Sequence, residues 1–413
     1  MKRYVAGFAY SLLLPALVMS AHGDDWPQFL GASRDGTSSE TGLIDSLDDS
    51  LEIVWRVRGG VGMSAVAVSD NDAVTTWNAG GKQWLACLDA GTGEQRWATP
   101  LAPSYGNSMG DGPRATPAIT EDRVFAFTGE GVLIAVTRDN GKELWRVGVF
   151  GSGSDKPSEY GMSASPLIVD GKVIVHAGGG KGAVRAFEAS SGKPVWSSGS
   201  GLAGYSSPTV LNVGGQNQIV CFTAAGVVAM NPESGMELWS YGFRTPYDCN
   251  TATPILIDGG VFISAGENHG CVLLDIARRG DRYSVQERWA SVDSKSVMRN
   301  EWQTSVVVGD YLFGFDNVGS AGPVTHLSCI AAATGKPMWQ EKRFGKGNLT
   351  LADGKLWITT MKGELVLVRA TPRGFEELGR RSLFGKTRQS LSIANGHGYI
   401  RDDRDVICVK LSK

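Results

Sequence analysis

The stretch Leu88-Asp89-Ala90-Gly91-Thr92-Gly93-Glu94-Gln95-Arg96-Trp97 decides the fold. It reads as the end of one strand, a tight turn closing on glycine, and a new strand opening on tryptophan. Glycine supplies the positive φ of a hairpin turn at no steric cost. Tryptophan carries a large apolar surface that must be covered. The same arrangement recurs along the chain. Gly141 precedes Trp145, Gly192 precedes Trp196, Gly235 precedes Trp239 and Gly335 precedes Trp339, each by four residues. A fold written this way buries one indole per repeat, and each contributes roughly 4–5 kcal/mol as an upper bound.

Working outward, the tryptophans fall at 55, 97, 145, 196, 239, 289 and 339, with intervals of 42, 48, 51, 43, 50 and 50. Periods of this size mark propeller blades. A second marker lies inside each period. Thr116-Pro117, Ser165-Pro166, Ser207-Pro208 and Thr253-Pro254 each lead, four residues on, to a turn such as Asp170-Gly171 or Asp258-Gly259. Proline is harmless where a strand opens and costly inside one. Degenerate copies begin at Val66, Ser305, Leu349 and Leu391, which makes eight. The reading is all-β: an eight-bladed β-propeller of four-stranded antiparallel blades.

The last repeat ends after three strands, near 390–393, 399–401 and 406–411. The segment 52–57, holding Trp55, precedes the first full unit and has no blade of its own. It is therefore expected to supply the missing fourth strand and close the ring. The seventh repeat lacks its tryptophan, reading Glu377-Leu378-Gly379-Arg380, and a weaker contact is expected there. Residues 24–50 form an N-terminal extension of loop chemistry, expected to lie along the folded body with Trp26 and Phe29 as plugs. The propeller spans 51–413.

The 413 residues carry a net charge of −2 with 55 Gly and 12 Trp. Without a basic excess or polybasic tract, nucleic acid is not an expected partner. Lys2 and Arg3, an apolar run from Val5 to Met19, and Ala21-His22-Gly23 read as a cleaved export signal over 1–23. No later run is long and apolar enough to cross a bilayer. No cysteine stands near the cleavage point for lipid attachment, so a periplasmic or secreted monomer is expected. The six cysteines include no adjacent pair and no Cys-x-x-Cys. They read as small buried hydrophobes, and their spacing names no disulfide.

These residues resemble the quinoprotein (PQQ-like) β-propeller repeat, a strand ending in Leu-Asp-Ala, a Thr-Gly turn, then tryptophan. Leu88 to Trp97 matches in full, and Phe187 to Trp196 and Ile330 to Trp339 match closely. Asp25-Trp26-Pro27-Gln28-Phe29 is similar to the opening of many secreted bacterial members. The resemblance implies one of two branches. The dehydrogenases bind pyrroloquinoline quinone (PQQ) with calcium beside a pair of adjacent cysteines, which this chain lacks, and their blades carry longer insertions. The other branch is a short-bladed periplasmic scaffold of the outer-membrane β-barrel assembly machine, whose lipid-attachment cysteine is also missing here. A non-catalytic scaffold or binding protein is the first expectation. A quinone-dependent oxidoreductase or carbohydrate-active enzyme is the alternative. No cofactor is expected, with PQQ and calcium disfavoured.

Residues just before each first strand gather at one mouth of a propeller channel, and here they are polar. The cations are Arg114, Arg299, Lys346 and Arg388. The carboxylates are Asp248 and Glu301, which could share acid/base work. Tyr160, Tyr205 and Trp302 are aromatic, and Asn250 and Asn348 add amides. This set suits a small anionic or sugar-like ligand, with an envelope or secreted protein as the other partner class. No catalytic residue is assigned. The five histidines show no metal-ligand spacing.

Overall fold

The computed structural model describes residues 24–151, 155–180, 182–320 and 322–413. The export-signal reading of 1–23 lies outside them. Eight four-stranded antiparallel meanders form a ring. Blades 1 to 7 span 67–103, 118–148, 167–198, 209–242, 255–292, 306–341 and 347–382. Blade 8 takes three strands from 392–410, and its outer strand is Ile53–Arg58. Trp55 sits opposite Cys408 and Arg58 opposite Asp405, so the two ends of the propeller are joined by pairing. Hairpin turns at Asp170, Asp258, Asp353 and Asn395 take positive φ, each followed by glycine, as the turn chemistry requires.

The indoles lie between blades. Trp55, Trp97, Trp145, Trp196, Trp289 and Trp339 each donate Nε1–H to a carbonyl in the strand 3–4 turn of the next blade, at 2.7–3.2 Å. Trp239 instead donates to Gln218 Oε1 of its own blade at 2.7 Å. The reason is local. Blade 5 replaces the short turn with a long hairpin, Gly270–Arg279 and Arg282–Val292, so the usual carbonyl is not presented.

A register shift sits before the indole position in every blade, as between Ala186–Trp196 and Phe187–Pro194. The extra residue bends the outer strand and re-aims the indole. The serine and threonine of the strand-opening marker have a second role that proline alone did not suggest. The amides of Ala65, Thr116 and Ser165 donate to the hydroxyls of Thr116, Ser165 and Ser207, at 2.9–3.1 Å. Thr253 donates likewise to Thr304 at 3.0 Å. Each bond links one blade to the next around the channel.

The seventh blade corrects one expectation. At its indole position stands Gly379, and Leu47 of the N-terminal extension pairs there, where any Cβ would lie 2.2 Å from the Leu47 carbonyl oxygen. Leu43 and Leu47 complete a buried cluster with Leu367, Ile393 and Ile407 of blades 7 and 8. The gap is filled by another part of the chain.

The extension also does more than lie along the body. Trp26, fully buried, pairs with Val68 of blade 1, and the Pro27 carbonyl accepts from Ile119 of blade 2. Arg34, 2% exposed, donates to Ser165 and Pro166 of blade 3 at 3.1 and 3.0 Å. Thr37 pairs with Leu351 of blade 7. Touching inner strands on opposite sides of the ring, the segment crosses the channel.

Candidate functional site

Antiparallel topology puts the start of strand 1, the end of strand 2 and the start of strand 3 at one end of every blade. Those loops enclose a cavity of about 510 Å³ at one mouth of the channel. Phe29 and Leu30 of the crossing segment line it too. Trp26 is the buried plug, whereas Phe29 is half-buried and faces this cavity.

Of the sequence-predicted set, Arg114, Tyr160, Tyr205, Glu301, Trp302, Lys346, Asn348 and Arg388 line the cavity together. Asp248, Asn250 and Arg299 do not. The Asn250 amide is consumed by backbone, donating to Thr223 and Phe243 at 2.7 and 2.8 Å and accepting from Thr245. Arg299 turns away to a buried ion pair with Asp316 at 2.5 Å. Asp248 closes a 3-10 turn with φ of 57°, its carbonyl accepting from Asn250. The paired carboxylates considered from sequence are therefore not brought into one cavity.

Trp302 is the centre of the arrangement. Lys346 Nζ lies 4.3 Å from its ring centroid and Arg388 Cζ 4.7 Å from it. Cation–π contacts contribute about 0.5–2 kcal/mol each, rising with burial. Lys346 is also 2.6 Å from Glu301 Oε2. Burial pushes the Glu301 carboxyl above its usual range, and the Lys346 pair opposes that shift. Burial holds the Arg388 guanidinium below its usual value, with Glu301 opposing. Arg114 is lowered by burial as well. It rests on Tyr105 at 4.8 Å and donates to the Gly110 and Gly112 carbonyls. Tyr160 and Tyr205 pack with centroids 5.7 Å apart, and burial raises both phenols.

Sequence reasoning missed Met63, Met109, Tyr247, Cys249, Glu267 and Ser320, which also line the cavity. Glu267 and Ser320 come from strand 2–3 loops, and the topological rule above would have found them. The Cys249 thiol is pushed up to about 12, first by burial and then by Glu267, Glu301 and Asp248, so it stays neutral. All six cysteines are free thiols. Among the described residues, no group of three or more His, Cys, Asp or Glu side chains could hold a metal ion. Cations over aromatic walls, with carboxylates partly offsetting them, can bind and orient an anion.

Among known proteins, the outer membrane protein assembly factor BamB of Shewanella oneidensis is 25% identical over 272 residues, 62% of this chain and 65% of that protein. The dehydrogenase subunit of a quinone alcohol dehydrogenase from Gluconacetobacter polyoxogenes is 27% identical over 194 residues, 42% of this chain and 26% of that one. The chain thus spans less than two thirds of either relative. BamB from Moraxella catarrhalis superposes with a TM-score of 0.61 at 16% identity, covering 87% of this chain and 98% of that one. Quinohemoprotein alcohol dehydrogenase from Comamonas testosteroni gives 0.67 at 15% identity, covering 94% and 80%. Both likenesses concern the fold. Among the described residues, no helix is long and apolar enough to cross a membrane. A family profile described as outer membrane protein assembly factor BamB matches residues 81–340, well over half of the chain. The chain belongs to this BamB-like family of PQQ-type β-propellers.

Proposed function

We propose that this chain is an exported, non-catalytic propeller that binds a small anionic ligand in its channel-mouth cavity. The observation that carries the reading is Trp302 with both Lys346 and Arg388 seated on its ring. Arg114 adds a third cation to the same lining, against the carboxylates Glu267 and Glu301. Phe29, Tyr160, Tyr205 and Tyr247 supply apolar walls for the body of a carboxylated sugar or ring. Export rests on the basic, apolar and small-residue order of 1–23.

The calcium–quinone pair of the dehydrogenases fits these residues poorly. No two cysteines are adjacent in the sequence, and two cations already cover the Trp302 ring. Among the described residues no acidic cluster is placed for a cation. Thermal shift with matched pairs tests the proposal: glucuronate against glucose, and benzoate against benzamide. The anionic members are expected to stabilise the protein, and the Lys346→Gln/Arg388→Gln double variant to lose the effect. Equal response to charged and neutral members would overturn the ligand class. Dye-linked alcohol oxidation after adding the quinone and calcium would overturn the non-catalytic reading.

A protein partner on the rim is a second reading with its own observation. Leu144, Val195 and Met338 are the bulged residues immediately before Trp145, Trp196 and Trp339, and stand 43%, 43% and 41% exposed. Replacing all three with serine would abolish capture of such a partner from an envelope extract and leave glucuronate binding unchanged.

A further inference from the structure

A second, smaller cavity of about 210 Å³ adjoins the central one between blades 8 and 1. The two share Met63, Met109, Arg388 and Gln389 as lining, so the smaller is an annex of the larger. Arg401, on the second strand of blade 8, lines the annex and is 2% exposed. Its Nη2 donates to the Gly60 carbonyl at 2.6 Å. Its Nε and Nη1 have no hydrogen-bond partner among the described residues, and neither has Nε of Arg388. A guanidinium carries five N–H donors, and leaving them unpaired in a buried place costs free energy. Two arginines with donors to spare therefore line one small space.

The carboxylates around the annex do not answer this need. Asp402 Oδ1 accepts from the amides of Arg404 and Asp405, and Oδ2 from Gly385, at 2.6–2.8 Å. Asp111 accepts from the Asn107 amide at 3.0 Å, and Asp403 is exposed at the rim. The wall over Arg401 is also kept bare. A Cβ added at Gly62 would stand 3.0–3.1 Å from both terminal nitrogens of Arg401.

We infer that the annex is an oxyanion site in which Arg401, with Arg388, grips a carboxylate, sulfate or phosphate group. Planar guanidinium forks suit such groups, and charge-assisted bonds are about twice as strong as neutral ones. The inference deepens the reading above and rests on it only for the larger molecule to which the group belongs.

The first test measures sulfate binding at constant ionic strength, with chloride as the exchanged ion, and soaks crystals in selenate. Wild type is expected to bind sulfate and to show an anomalous selenium peak beside Arg401. Gly62→Ala keeps both arginines and closes the space, and is expected to weaken sulfate binding roughly tenfold or more. Arg401→Gln should do the same. If Arg401→Gln fails to fold, Gly62→Ala and the selenate peak still decide. Water alone in the annex, with equal sulfate binding by wild type and Gly62→Ala, would overturn the inference. Benzoate competing with sulfate would assign the site to the acid group of a larger ligand, whereas its failure to compete would assign it to a free inorganic anion. The Lys346→Gln variant separates the two readings. The selenate peak should persist there whether or not glucuronate binds in the central cavity.

Discussion

Gly141, in the turn of blade 2, lies against the indole of Trp97 in blade 1: a Cβ built on Gly141 would stand 2.5 Å from Trp97 Cε3. The same relation joins Gly93 to Trp55, Gly192 to Trp145, Gly235 to Trp196 and Gly335 to Trp289. The glycine and tryptophan of one repeat are therefore the two halves of different contacts. The glycine receives the indole of the blade before, and the tryptophan reaches the turn of the blade after.

This relation separates two roles of glycine. Gly141 and Gly171 have φ of +70° and +71°, but nothing lies within 4 Å of a Cβ at Gly171. Gly171→Ala should cost about 1–2 kcal/mol for the left-handed conformation alone. Gly141→Ala should cost about 1–3 kcal/mol more, because the added methyl overpacks the indole. Urea unfolding of both variants measures the difference.

Leu47 fills the place of the missing indole between blades 7 and 8 and is 5% exposed. Leu47→Ala should lower stability by about 2–3 kcal/mol through lost burial and the cavity left behind. Hydrogen exchange should rise first at the blade 7 to blade 8 contact, with the blade 2 to blade 3 contact unchanged.

Arg34 ties the crossing segment to blade 3, and burial lowers its pKa to about 9. Arg34→Ala should cost about 2–3 kcal/mol, since buried carbonyls lose a charged donor. Arg34→Lys should recover little of it, because one ammonium cannot span the Ser165 and Pro166 carbonyls as the fork does. Exchange of amides over residues 24–42 reads the loosening.

His176 is fully buried, donates Nδ1–H to Ser206 at 3.2 Å, and is lowered by burial to about 4. The unfolded ring, near 6.5, binds a proton that the folded ring refuses. Stability should therefore fall as pH drops from 6.5 to 4, on the order of 3 kcal/mol in all, and be flat in this respect above 6.5. His176→Asn keeps a donor without a titrating ring and should abolish that part of the slope in urea titrations across this range.

Much of the architecture was legible in the chain. Trp55 far ahead of the first full unit, and a last repeat one strand short, required the pairing seen between Ile53–Arg58 and Asp405–Lys410. The mouth was legible in part. Trp302, Lys346 and Arg388 were found because they precede first strands. Arg299 and Asn250 satisfied the same rule, yet their side chains found Asp316 and backbone partners instead. Spacing along a chain places a residue at an end of the ring, but competing hydrogen bonds decide where its side chain turns.

The sequence by itself determined the number of blades, the strand order within each and the closure of the ring. These follow from turn chemistry and apolar periodicity, which act over a few residues. Only the tertiary structure decided that residues 26–37 cross the channel, that Leu47 stands in for an indole, and that Arg401 lines an annex with donors unspent. Such contacts join positions hundreds of residues apart, as Arg401 and Gly60 are, and no local pattern records which distant group will arrive.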